Sequence, residues 1–98
     1  MLVRIIKSYK NIVAVCDSEL LGKKFESGKF QLDIKESFYK GEEKTESETI
    51  EVLKKMARED ATFNIIGKRS VKAALQAGII GEDAIGKIQD VEFALVLL

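Results

Sequence analysis

Thr62-Phe63-Asn64-Ile65-Ile66-Gly67-Lys68-Arg69-Ser70-Val71-Lys72-Ala73-Ala74-Leu75-Gln76-Ala77-Gly78 is the stretch whose reading decides the fold. Its first five residues are rich in β-branched and aromatic side chains and predict a short strand over 62–66. Gly67 interrupts the pattern. From Lys68 onward Val71, Ala74 and Leu75 recur at helical spacing, which predicts a helix over 68–77 with those residues facing inward. Gly78 follows the last periodic residue, where a left-handed C-cap favours glycine.

Working toward the N-terminus, a second helix is expected over about 46–59. Thr45 and Glu48 have capping-box spacing, an acidic first turn suits the helix dipole, and Ile50, Leu53, Met56 and Ala57 form the apolar stripe. Runs at 2–7 and 12–16, separated by Ser8-Tyr9-Lys10-Asn11, predict an antiparallel hairpin. Asp17 before Glu19-Leu20-Leu21-Gly22 reads as the capping acid of a single helical turn. The segment 25–34 turns at Ser27-Gly28, with Phe30, Leu32 and Ile34 on one face; Phe25, Phe30 and Phe38 are expected in the core. Ser37 to Gly41 reads as a loop.

Beyond Gly78, Gly81-Glu82-Asp83 predicts a turn with a short helix to Ala84, 85–88 a short strand, and 92–98 a final strand. The expected architecture is a single small α+β domain over residues 1–98. It has a mixed, mainly antiparallel sheet and two main helices (46–59 and 68–77) on one face. If the strand at 62–66 pairs in parallel with a strand after the second helix, the crossover should be right-handed. The last strand ends in six apolar residues and belongs either inside the sheet or at a dimer seam.

Composition closes off whole classes of chemistry. The chain has 98 residues, no His and one Cys, so it has no imidazole base, no Cys–His or Ser–His dyad and no internal disulfide. No catalytic residue, metal ligand set or cofactor is expected from the pattern. Sixteen Lys/Arg balance sixteen Asp/Glu, which argues against strong non-specific phosphate binding while permitting a local basic patch. The charge is uneven: residues 1–40 hold eight cations and five anions, residues 41–60 four and seven. The 33% charged content with few Asn and Gln is thermophile-like. Apolar runs are too short for a spanning helix and the N-terminus lacks a signal-peptide pattern, so a cytoplasmic, non-membrane protein is expected.

Four segments together carry a family resemblance. They are Cys16-Asp17 with Glu19-Leu20-Leu21-Gly22-Lys23; Phe38-Tyr39-x-Gly41; Asn64-Ile65-Ile66-Gly67-Lys68-Arg69-Ser70; and Ala73-Ala74-x-x-Ala77-Gly78 with Ile79-Ile80. In this order the chain resembles the archaeal domain-of-unknown-function family four-two-four over nearly its whole length. The resemblance implies an archaeal source and a small stand-alone domain, with no catalytic set to transfer. It also carries an expectation of a role near translation or RNA metabolism.

Two surfaces are candidate sites. Gly67, Lys68, Arg69 and Ser70 form a strand–glycine–helix turn whose amides could cradle a phosphate. Lys68 and Arg69 in a first turn oppose the helix dipole, a conflict that a bound anion would resolve. The alternative is that Lys68, Arg69 and Lys72 only solvate the helix. Lys23, Lys24, Tyr39 and Lys40 could hold RNA by stacking within a positive groove. Cys16 reads as a buried small hydrophobe beside a capping Asp17. Three functions follow: a non-enzymatic module for RNA or a ribonucleoprotein, an adaptor or homodimer docking through its C-terminal strand, or a phosphorylated-metabolite binder at Gly67.

Overall fold

The computed structural model describes residues 1–97. In chain order the strands are β1 (Leu2–Ile6), β2 (Ile12–Cys16), β3 (Lys24–Ser27), β4 (Phe30–Asp33), β5 (Glu42–Glu43), β6 (Thr62–Ile66), β7 (Gly86–Ile88) and β8 (Val91–Val96). The helices are α1 (Glu36–Tyr39), α2 (Glu46–Arg58) and α3 (Lys68–Gln76), with 3-10 turns at Ser18–Leu20 and Glu82–Ala84.

Six strands form the main sheet in the order β5-β1-β2-β6-β8-β7, and β3–β4 is a separate hairpin. Among the described residues only β2 and β6 are parallel, with Cys16 opposite Ile66. The α+β class, the mainly antiparallel sheet and the two main helices agree with the sequence reading. The parallel partner differs: β6 is parallel to β2, and β8, the long strand after α3, runs antiparallel to it. The first hairpin and the last strand share β6 as their common neighbour, a long-range choice that no local pattern encodes.

The sheet buries both faces over part of its area. Along each strand successive side chains alternate between faces. Val3, Val13, Val15, Phe63, Ile65 and Ala94 point to one side, where Leu53 and Met56 of α2 and Val71 and Ala74 of α3 cover them. Each large side chain so buried contributes about 1.5–3 kcal/mol. Leu2, Ala14, Cys16, Ile66 and Phe93 point to the other side, beneath Phe25 and Leu32 of the hairpin, Ile34, and Phe38 and Tyr39 of α1. The predicted loop at Ser37 is thus a one-turn helix that closes this second layer. Phe30, expected in the core, is 72% exposed at the hairpin tip.

The helix ends follow their sequence signals. Thr45 and Glu48 form the complete capping box, with Glu48 N–H to Thr45 Oγ1 at 3.2 Å and Thr45 N–H to Glu48 Oε1 at 2.9 Å. Gly78 sits at φ +75° and closes α3: its N–H bonds the Leu75 carbonyl at 3.0 Å, and the following Ile79 N–H bonds the Ala74 carbonyl at 3.2 Å. The final strand ends at Val96, and the reading that extended it to Leu98 lies partly outside the described residues.

Candidate functional site

Because β2 and β6 run parallel, both deliver their carboxyl ends to the same corner, a place where open α/β sheets commonly bind ligands. Asp17 N–H bonds the Ile66 carbonyl at 3.0 Å, and Gly67 N–H bonds the Glu92 carbonyl at 2.7 Å. The chain leaving β6 then enters α3 at once, so the amides of its first turn face the residue that follows β2.

That residue is Asp17, and it fills the corner. Its Oδ2 accepts from Arg69 N–H at 3.1 Å; its Oδ1 accepts from Ser70 N–H at 2.8 Å and Ser70 Oγ at 2.7 Å. Asp17, Gly67 and Ser70 are all buried. Gly67 adopts φ +109°, and a Cβ there would run into the Asp17 carboxylate. The anion that relieves Lys68 and Arg69 of their conflict with the dipole is therefore the protein's own.

This corrects two expectations. Gly67, Lys68, Arg69 and Ser70 do not form an open phosphate cradle, because Asp17 consumes two amides and the hydroxyl. Asp17 also does not cap the turn at Ser18, to which its side chain makes no capping bond. Lys68 and Arg69 project into solvent. Arg69 lies close enough to Glu43 to help hold that carboxylate below its usual range, after the N-terminal ammonium at 2.6 Å and the Ser18 hydroxyl at 2.7 Å.

Beside the corner Cys16 and Tyr39 are buried together. Burial, followed by the nearby Asp17 charge, pushes the Cys16 thiol up to about 11. Burial, followed by Cys16, pushes Tyr39 up to about 12. A thiol so placed stays protonated at neutral pH and is a poor nucleophile. Among the described residues no three His, Cys, Asp or Glu side chains gather to hold a metal ion.

The second candidate set separates. Lys23 and Lys24 are exposed at the start of the hairpin and Lys40 is exposed after α1. Tyr39 is buried edge-to-face against Phe38, with ring centroids 4.9 Å apart, so it offers no face to a base. Position 39 faces inward because α1 lays one side of its single turn on Ala14 and Cys16.

The far end of the sheet carries a feature that the sequence only hinted at. On the face opposite α2 and α3, the hairpin and α1 cover the row from Leu2 to Phe93. Beyond it, Ile6 opposite Ile12, and Asn64 opposite Leu95, belong to neither packed cluster. Leu95 is 54% exposed and Leu97 75%. β7 reaches only to Phe93, so Ala94, Leu95 and Val96 pair with β6 on one side and, among the described residues, with no strand on the other.

A family model described as "Protein of unknown function (DUF424)" matches residues 6–98. The chain belongs to the DUF424 family. The crystal structure of an uncharacterized conserved protein from Methanopyrus kandleri shares its fold, with a TM-score of 0.87 at 24% identity over 97% of this chain and 88% of that one. No curated protein matches the chain. For this DUF424 chain the comparisons establish family and fold, and no helix among its described residues is long and apolar enough to cross a membrane.

Proposed function

We propose that this DUF424 chain is a non-catalytic docking module of the cytoplasm that associates with a second copy of itself through the uncovered half of its sheet. The observation that carries the reading is Leu95, half-exposed on the unpaired edge of β8, where it belongs to neither packed cluster among the described residues. Exposed strand edges are ordinarily guarded by charge or proline. Residues 93–98, Phe-Ala-Leu-Val-Leu-Leu, have neither. A formal net charge of zero leaves little repulsion between copies. Two β8 edges meeting about a two-fold axis would continue both sheets and cover Leu95 and Leu97 of each copy.

Light scattering on a sizing column, over a range of protein concentrations, tests this. Wild type should run at twice 10.9 kDa, and Leu95→Glu should return the monomer mass with an unchanged far-UV spectrum. A monomer at every concentration overturns the reading.

An RNA or ribonucleoprotein partner is the second reading, favoured by one observation. Phe30 is 72% exposed next to Lys29 at the hairpin tip, which offers the aromatic face that Tyr39 does not. Lys23, Lys24 and Lys40 would then supply the phosphate contacts. Salt-stepped filter binding of transfer and ribosomal RNA should show retention at low salt that Phe30→Ala and Lys24→Glu weaken. Equal retention by all three proteins sinks it.

A further inference from the structure

The opposite edge of the sheet supports a separate site. β5 is two residues long and pairs only with Leu2 and Val3, so the outer side of β1 from Arg4 to Ile6 has no strand partner among the described residues. Gly41, which leads into β5, lies directly against the Val3 carbonyl, so that carbonyl faces outward. Because strand residues alternate, the N–H and C=O of Ile5 face outward too. Below β5 this edge borders an open slot of about 410 Å³, which runs from Val3 and Ile5 to Val52 on α2. Ile5 is 41% exposed within it.

We infer that this slot takes an extended segment of a partner protein in which apolar and acidic residues alternate, added to the sheet as a strand beside β1. Backbone bonds to Ile5 would hold it, and alternate side chains would face opposite sides. One set would rest on Ile5 and Val52, which demands apolar groups. The other set would lie beside Arg4, whose guanidinium spends one donor on the Ser37 carbonyl at 2.5 Å and has others to give.

Charge selects the occupant. The first acidic residue of the chain is Asp17, so Arg4 borders the open edge without an anion in its own strand. The Glu42 carboxylate at the upper end of the slot is paired with Lys44 at 3.3 Å. A second β1 would set Arg4 and Lys7 near their own copies, and like charges across strands destabilise pairing. Carboxylates on the incoming strand would be attracted instead.

A fluorescein-labelled peptide of alternating valine and glutamate, followed by anisotropy against the full chain, tests the inference. The expected result is saturable binding that a valine–lysine peptide lacks and that Arg4→Glu weakens by about tenfold or more. Ile5→Pro should abolish it while leaving the β2 ladder intact, because the lost N–H points away from β2. If Ile5→Pro melts early, Arg4→Glu decides alone. No saturable binding by wild type, equal binding of the lysine peptide, or wild-type affinity in Arg4→Glu each overturns the inference. None of these outcomes bears on self-association through β8.

Discussion

The Asp17 carboxylate binds Ser70 twice, through its backbone N–H at 2.8 Å and its hydroxyl at 2.7 Å, across 53 residues of chain. A side chain at the end of one strand thereby starts the helix that follows another. The first turn of α3 contains Lys68 and Arg69 and no acid of its own, so this distant carboxylate is the charge that complements its dipole.

Replacing Asp17 with Ala would leave the buried Ser70 hydroxyl and two first-turn amides without their acceptor. Losing a cap together with charge-assisted bonds predicts a loss of about 3 kcal/mol. Urea unfolding should show a lower midpoint with an unchanged slope. Asp17→Asn keeps one acceptor oxygen and should lose about half as much, on the order of 1.5 kcal/mol. Phosphate added to wild type should not raise the melting temperature through this corner, because the corner is already filled.

Gly67→Ala is predicted to be costly for two separable reasons. The residue holds φ +109° and ψ 151°, a region essentially confined to glycine, where a Cβ is strained by about 1–3 kcal/mol. That Cβ would also collide with the Asp17 carboxylate. The collision vanishes in an Asp17→Ala background while the strain remains. The two losses should therefore fall short of additivity by about 1 kcal/mol or more in a cycle of four urea melts. Full additivity would mean that the carboxylate simply moves aside.

What the sequence revealed, and what it concealed, divides along the range of the interactions. The Thr45–Glu48 box, the Gly78 stop and the turn at Gly28 are set by neighbours within a few residues, and each stands where the residues placed it. The conflict between Lys68, Arg69 and the dipole was also legible, and it was read as a place for a bound anion. Which anion was not legible, because Asp17 reaches α3 only once β2 and β6 pair in parallel. Tyr39 misled for a related reason. Its neighbours Lys35 and Lys40 look like a solvated loop until a one-turn helix lays Tyr39 onto the sheet.

Stability should fall at alkaline pH in two overlapping steps. Cys16 has a folded value of about 11 against 9.0 unfolded, and Tyr39 about 12 against 10.0. In each case the folded state keeps its proton after the unfolded state has lost it. The contribution is therefore whole below the unfolded value and is lost as pH rises through the folded one. Melts from pH 8 upward should show a decline beginning near 9. Cys16→Ala should remove its first part and shift the onset toward 10. Native Cys16 should also resist a thiol reagent at pH 8 until denaturant is added.

The acid side has the opposite sign and different residues. Glu48 is held below its usual 4.5 by the Thr45 N–H and hydroxyl, and Glu43 by the N-terminal ammonium and Ser18. Depressed carboxylates contribute stability above their unfolded value and lose it as pH falls through the folded value. Both groups are exposed, so each effect should be small and should shrink further in salt. Glu48→Gln keeps an oxygen for the Thr45 N–H but removes the titrating charge. It should flatten the decline below pH 4.5 while costing a little at pH 7. Thr45→Ala breaks the other half of the box and should cost about 1 kcal/mol at neutral pH, and somewhat less below pH 4.5, where the hydroxyl's share in holding Glu48 ionised is lost with the charge. A cost for Thr45→Ala that stays the same from pH 7 to pH 3 would show that the hydroxyl acts as a cap alone and has no part in holding Glu48 ionised.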